Sequence, residues 1–414
     1  MANIPDVKDL ESSRTMSFLT GNKSAVDVAK IEKELASLWK SARDGEETGD
    51  LPISDHVVRA CVLNFCILIR DGRSGDKQRV EAMNDLLTGL SLRHPARVIL
   101  GLVNEADDDS GETYKDLEEK VDAWVSARCH LLPGAKDKQV CCEQITVETT
   151  YKHGVGESLA SVINPLIVPD LPAFLYLSGF HLDAALIKPF LGYFQRVVFE
   201  LADNLEDDLD LAIAQTTSCV PAIFALSGEH YVHDLSWSLI KPYRMALAQT
   251  FDDDDVAIDP AMLQEITDIE LVTSDIAQGA LYLAWLADRL NLSPLSTMID
   301  KAKSAYEITM AGDRQIKARI VYSAVEQGKG IKSVRLRFAP DQDQGQNQDA
   351  GLLVEAESRV IKSCYKGTTE YLELPMDDPR ESAIDQILTS KKTDPFYLRA
   401  LGIMAAFNKK EKKQ

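Results

Sequence analysis

Residues able to do chemistry are scattered along this sequence rather than gathered into motifs. Seven cysteines stand at 61, 66, 129, 141, 142, 219 and 364, with no Cys-x-x-Cys pair among them. Cys141 and Cys142 are adjacent, so in a strand their side chains take opposite faces and cannot share one tetrahedral metal ion. His230 and His233 would sit together on a helix, but a zinc site needs further ligands and none is tethered nearby. Two ordinary histidines are the plainer reading. Cys61 and Cys66 suggest a redox pair, yet in a strand the five-residue step holds them roughly 16 Å apart. A disulfide tolerates a Cα separation of about 7 Å. The thiols are therefore expected to be buried and unpaired. An odd number of cysteines without regular spacing points to a reducing compartment, the cytoplasm.

Acidic runs at Asp107-Asp108-Asp109, Glu206-Asp207-Asp208 and Asp252 to Asp255 invite a calcium reading. Calcium loops alternate their ligands around a required glycine, which none of these runs shows, so solvated loops and helix ends explain them better. Asp71-Gly72-Arg73-Ser74-Gly75 follows the first long apolar run but lacks the third glycine of a dinucleotide turn. Gly154-Val155-Gly156 has only two glycines and comes after a late strand, where a turn and a helix start account for both. No GxxxxGKS/T phosphate loop and no GxSxG nucleophile elbow occurs. The motifs thus point to no metal, no cofactor and no catalytic residue, although catalytic groups can lie far apart in sequence.

The elements that would position any site follow from hydrophobic periodicity. Residues 1–50 read as an N-terminal appendage with an amphipathic helix, in which Val28, Ile31, Leu35, Leu38 and Trp39 share a face that either packs on its own domain or docks on a partner subunit, the first being the plainer reading. Ser24 followed by Asp27 resembles a capping box for it. From 51 to 250 apolar runs alternate with helical stretches. Cys61–Arg70, Arg97–Val103, Ala123–Leu132, Gln139–Lys152, Pro172–Leu177 and Arg196–Glu200 read as strands. Asp76–Arg93, Gly156–Leu166, Phe180–Phe194 and Leu235–Phe251 read as helices. That predicts an α/β domain with a mainly parallel or mixed sheet and helices on both faces. Ser274–Leu290 is a further helix. Beyond about 304 alternation takes over, as in Ile316, Ala318, Ile320, Tyr322 and Ala324 against Gln315, Lys317, Arg319 and Ser323. Residues 251–414 are therefore expected to form a C-terminal α+β domain with an antiparallel sheet, closed by helix between Ile384 and Phe407. The fold class is α/β.

Composition narrows the partners. The 414 residues include 65 Asp and Glu against 45 Lys and Arg, a formal charge of −20, with a pI near 4.8. Such a surface repels phosphate backbones and anionic lipid, so neither nucleic acid nor membrane is an expected partner. The stretch Leu159 to Leu177 is apolar but broken by Asn164, Pro165, Pro169, Asp170 and Pro172, which rules out a continuous span of roughly 20 residues.

Three segments carry a family likeness. Pro165-Leu166-Ile167-Val168-Pro169-Asp170-Leu171-Pro172 leads into the strand at Ala173. Asp234-Leu235-Ser236-Trp237 is followed by Lys241-Pro242-Tyr243-Arg244. Leu283-Ala284-Trp285-Leu286-Ala287-Asp288-Arg289-Leu290 lies on the late amphipathic helix. In this order and spacing the sequence resembles the glucose-6-phosphate dehydrogenase assembly protein family, OpcA, from about residue 28 to at least 290. The helix Ile31 to Trp39 and Arg97-Val98-Ile99 after His94-Pro95 are similar to that family too. It departs from the family at Leu175-Tyr176, where a tryptophan-rich strand end is usual, and at Tyr243, where a tryptophan is common. The resemblance implies a non-catalytic factor that binds glucose-6-phosphate dehydrogenase and promotes its active oligomer as an allosteric activator. That would support NADPH production in the oxidative pentose phosphate pathway.

On that likeness the residues for partner binding are Pro169, Asp170, Pro172, Trp237, Pro242, Arg244, Trp285 and Arg289. Pro169, Asp170 and Pro172 would make either a tight turn or the rigid rim of a cleft at the sheet's C-terminal edge. Trp237 and Arg244, seven residues apart on one helix face, could pack on each other or face a partner. The i,i+4 pair Trp285 and Arg289 has the same two readings. The alternative for the whole chain is an enzyme or sensor for a sugar phosphate or nucleotide, using the sheet edge as its pocket.

Overall fold

Short runs of β-branched and aliphatic residues, bounded by polar turns, set up the strands of the first half of the chain. In a computed structural model the described residues are 17–20, 24–25, 28–44, 57–71, 77–104, 121–131, 139–150, 155–179, 182, 184–202, 208–252, 259–323, 330–339, 351–357, 360–374 and 378–408. They divide into two units, Met1–Val198 and Phe199–Gln414. The boundary expected near residue 250 thus falls inside the second unit.

The first unit contains β1 (Ser17–Thr20), β2 (Ser24–Ala25), α1 (Val28–Asp44), β3 (Val57–Arg59), β4 (Leu63–Asp71), α2 (Lys77–Arg93), β5 (Ala96–Asn104), β6 (Asp122–Leu131), β7 (Gln139–Thr150), α3 (Val155–Ile163), β8 (Ala173–Ser178), α4 (Ala184–Ile187) and β9 (Arg196–Phe199). The strand order runs β1-β6-β7-β5-β4-β8-β9, with β2 also on β6 and β3 also on β7. β7, β5, β4 and β8 run parallel, whereas β6 is antiparallel to β7. Every residue of β8 is buried, as a central parallel strand requires.

Helix α1 packs on its own unit. Ile31, Leu35 and Trp39 are buried, and Trp39 clusters with Ala127, Cys129 and Cys141. Its indole N–H donates to Glu143 Oε1 at 2.8 Å. Buried Glu143 also accepts from Arg97 Nε at 2.8 Å and pairs with Arg59, while Arg97 Nη1 donates to the Leu166 carbonyl. One buried ion pair therefore ties α1, β3, β5, β7 and the turn after α3 together. The capping box expected at Ser24 and Asp27 lies partly outside the described residues, since Asp27 is not among them. Ser24 sits in β2 opposite Ala123, four residues before the helix begins. Gly156, at the start of α3, has a packing reason: a Cβ there would lie 2.7 Å from the Ala185 carbonyl oxygen.

The cysteines hold one correction. Cys129 and Cys141 face each other across the antiparallel β6–β7 pair and are joined as a disulfide, with Cα atoms 4.0 Å apart. Strand register made that pairing, and register cannot be read from sequence spacing. Cys61, Cys66, Cys142, Cys219 and Cys364 are free thiols. Burial raises Cys66 and pushes Cys142 up to about 11. Gly72, Gly75, Gly154 and the run Asp107–Asp109 lie outside the described residues.

The second unit contains α5 (Leu209–Ser218), α6 (Val220–Ser227), β10 (Tyr231–Asp234), α7 (Leu235–Leu239), α8 (Lys241–Asp252), β11 (Ile266–Thr273), α9 (Ile276–Arg289), β12 (Ser293–Asp300), β13 (Ala305–Ala311), β14 (Gln315–Tyr322), β15 (Ile331–Phe338), β16 (Gly351–Glu357), β17 (Val360–Tyr365), β18 (Thr368–Glu373), α10 (Pro379–Thr389) and α11 (Pro395–Met404). Its eight-stranded sheet has the order β12-β13-β14-β11-β15-β16-β17-β18. The expected antiparallel pairing holds throughout except that β11 runs parallel to β14. β11 and β12 escaped the sequence reading, although β11 alternates buried and partly buried residues along most of its length. By length and composition, Leu209–Ser227 would suffice to cross a membrane. It folds as α5 and α6 with Cys219 between them and Ala212, Ile213, Val220 and Ile223 buried. Among the described residues no group of three or more His, Cys, Asp or Glu side chains could hold a metal ion. His233 lies in β10, and His230 just before it, so the two histidines do not share a helix.

Candidate functional site

Of the expected residues at 237–244, Trp237 and Arg244 meet in a cleft of the second unit, built where β10 ends, and Pro242 is not in its lining. Asp234 terminates that strand and caps α7: one carboxylate oxygen accepts from the Ser236 N–H at 2.9 Å and the Leu201 N–H at 3.3 Å. Its other oxygen accepts from the Tyr397 hydroxyl at 3.1 Å. Asp234 is only 2% exposed. Burial pushes its carboxyl up to about 7, against the pull of the Leu201 and Ser236 N–H groups and the Tyr397 hydroxyl. Both oxygens are engaged, so the group reads as a buried cap and not as a free base.

Ile240 separates α7 from α8, and Pro242 stands in the first turn of α8. The single helix expected over 235–251 is therefore two. Proline has no N–H for the carbonyl four residues back, which agrees with the interruption. The break does not part Trp237 from Arg244. The guanidinium carbon lies 3.5 Å from the indole centroid, and Nη2 donates to the Trp237 carbonyl at 3.3 Å. The indole N–H donates to Asp394 Oδ2 at 2.9 Å. Asp394 in turn caps α11 through its other oxygen, accepting from the Phe396 N–H at 2.9 Å. Trp237 also packs obliquely on Tyr397, ring centroids 5.5 Å apart. Of the two readings for Trp237 and Arg244, mutual packing is what the geometry displays.

Trp285 joins this group from α9. Its ring centroid is 6.0 Å from the Arg244 guanidinium and 5.3 Å from Tyr282. Arg289 goes elsewhere: it lies over Phe396 at 4.5 Å and pairs with Asp288. Arg399 covers the same ring at 4.7 Å and also reaches Asp288. Phe396, 41% exposed, is thus an aromatic ring flanked by two arginines.

Pro169, Asp170 and Pro172 are exposed in the first unit and form a turn in which Asp170 takes a φ of 65°. Asn64 holds this turn, donating to the Val168 carbonyl at 2.9 Å and accepting from the Val168 N–H at 2.8 Å. The expected position at the sheet's C-terminal edge is corrected. The turn precedes β8, which runs parallel to β4, so it lies at the N-terminal edge. Segments 72–76, 105–120 and 151–154, which follow β4, β5 and β7 in the sequence, are outside the described residues.

The cleft beside Trp237 has a volume of about 410 Å³. Its cationic lining is Lys241, Arg244 and Lys392; Met245, Ala248 and Ile387 make an apolar wall. Sequence reading missed Tyr397, Asp394 and Lys392. The Asp394-Pro395 pair is a legible helix start, but nothing local announces its return to an indole 157 residues away.

Two family models match the chain. One, described as the glucose-6-phosphate dehydrogenase subunit N-terminal domain, covers residues 88–212; the other, the corresponding C-terminal domain, covers 230–401. Among curated proteins, an OxPP cycle protein, OpcA, from a Synechocystis species is 27% identical over 210 residues, 50% of this chain and 39% of that one. Its counterpart in Nostoc punctiforme is 26% identical over 248 residues, 58% of this chain and 47% of that one. The matches therefore span less than half the length of these relatives. Among solved structures, the 3-ketoreductase KijD10 from Actinomadura kijaniata has a TM-score of 0.44 at 12% identity, covering 83% of this chain and 94% of that one. The UDP-N-acetylglucosamine 3-dehydrogenase GnnA from Acidithiobacillus ferrooxidans gives 0.43 at 11%, covering 84% and 96%.

Proposed function

The chain belongs to the glucose-6-phosphate dehydrogenase assembly protein family, OpcA, and from that premise we propose that it binds this dehydrogenase, catalyses nothing itself, and favours the active oligomer. The observation that carries the reading is the pair of family models, which between them take in most of both units. The names of the curated relatives support an oxidative pentose phosphate context; support of NADPH production and a cytoplasmic location are part of the proposal.

Physically, such a factor acts by differential binding. A protein that grips active and inactive assemblies equally shifts nothing, whereas about 1.4 kcal/mol of preference shifts the ratio tenfold. No active site is needed for that. Trp237, Arg244 and Trp285 serve as the scaffold of the gripping surface, since their side chains are committed to one another and to Asp394. Arg289, with Arg399 and the exposed ring of Phe396 between them, has the composition of a hot spot and is the contact we assign to the dehydrogenase. Pro169, Asp170 and Pro172 present a second, rigid and exposed turn to a partner.

The test mixes the chain with the dehydrogenase of the same organism and follows size-exclusion elution together with the dehydrogenase rate. Co-elution and a changed rate or substrate affinity are expected. Separate elution with unchanged kinetics rejects the reading.

A further inference from the structure

The cleft beside Trp237 gathers positive charge on a chain whose formal charge is −20. Lys241, Arg244 and Lys392 all line it. Lys241 Nζ donates to the neutral amide oxygen of Gln386 at 2.8 Å, and Arg244 stacks on Trp237 and donates to a carbonyl. Buried Arg244 Nε has no hydrogen-bond partner. The two carboxylates in the lining already hold other donors, and the charge of Asp394 also favours the charged form of Arg244. Asp394 accepts from the Trp237 indole and caps α11, and Asp234 accepts from two backbone N–H groups and Tyr397. Arg244 keeps its charge at neutral pH, because burial lowers it only to about 10.

We propose that this cleft binds a small phosphate ester. A phosphate dianion supplies several acceptor oxygens to a fork-shaped guanidinium and two ammonium groups, which one carboxylate could not satisfy together. The indole beneath Arg244 fixes the plane of the fork and so its direction of approach. Ser238 and Ser390, also in the lining, add hydroxyl donors. The wall of Met245, Ala248 and Ile387 takes the carbon part of the ester. About 410 Å³ falls within the range of small-molecule sites and well beyond the needs of a bare ion. Every group named belongs to this chain, so the site can be tested without a partner.

The experiment is calorimetric titration of the full chain alone, without the dehydrogenase, at low ionic strength. Three probes are used: a hexose phosphate, a nucleoside monophosphate and inorganic phosphate. Saturable one-to-one binding of at least one ester, tighter than inorganic phosphate, is expected. Arg244→Gln should weaken it by about tenfold or more. Because that arginine also packs on Trp237, the surface double variant Lys241→Gln/Lys392→Gln provides a second reading, and it should weaken binding by at least as much while its thermal unfolding stays unchanged. No saturable binding of either ester, affinity for inorganic phosphate equal to that for the esters, or unaltered affinity in the double variant would each overturn the proposal. None of these outcomes bears on whether the chain binds the dehydrogenase.

Discussion

Replacing Asp234 by Asn should change how stability depends on pH, and the size follows from the site. The carboxyl is held near 7, whereas an exposed aspartate titrates near 3.9. The folded state therefore binds a proton that the unfolded state releases across that interval of about three pH units. At about 1.4 kcal/mol per unit, the wild type loses roughly 4 kcal/mol relative to a non-ionising isostere as pH rises through it. The sign follows from the raised value: the stabilisation is complete below the unfolded value, declines upward, and is gone above about 7. Asn keeps an acceptor for the Ser236 and Leu201 N–H groups and can donate its amide to the Tyr397 oxygen. Chemical denaturation is best confined above the pI of 4.8. Between about pH 5.5 and 8 the variant should gain about 2 kcal/mol on the wild type, most of it below pH 7, and the difference should then stay level to about pH 8.5. A difference that stays constant over the whole range would refute the assignment of Asp234 as a buried cap disfavoured when ionised.

Arg97→Met would leave Glu143 buried without its main countercharge, so a loss of about 3–5 kcal/mol in urea unfolding is expected, larger than for Arg59→Met, whose side chain is half exposed. Gly156→Ala pushes a methyl against the Ala185 carbonyl and should cost about 1–3 kcal/mol, read as a lowered melting temperature. Trp237→Phe removes the indole bond to Asp394 and weakens the Arg244 stack, for a loss of about 1–3 kcal/mol by the same measurement. Phe396→Ala should leave the melting temperature within about 2 °C yet weaken binding to the dehydrogenase by about tenfold or more, measured by surface plasmon resonance.

Hydrophobic periodicity carried most of the architecture. Fully apolar runs such as Phe174–Leu177 became buried parallel strands, and alternation after residue 304 became the second sheet. What escaped were features decided by distant partners. Cys129 and Cys141 meet because β6 and β7 pair in one register, and no spacing rule encodes that register. β11 was missed because its mixed exposure, with Asp268 and Glu270 on one face, dilutes an apolar signal that only the flanking β14 and β15 complete. In the cleft, Trp237 and Arg244 were legible as large side chains at a helical spacing. Their roles as a stacked pair, and the anchors Asp394 and Tyr397, came from chain more than 150 residues further on. The turn at Pro169 was legible as a turn. Its edge of the sheet was not, because that depends on which neighbours run parallel to β8.

The central claim is that this chain shifts the dehydrogenase toward its active assembly by binding it. Mass photometry of the dehydrogenase titrated with the chain, alongside its initial rate, tests it most directly. The account predicts that the fraction of higher oligomer and the rate rise together and saturate at a fixed ratio of the two proteins. An oligomer distribution that stays the same at every ratio, with the rate unchanged, would contradict it.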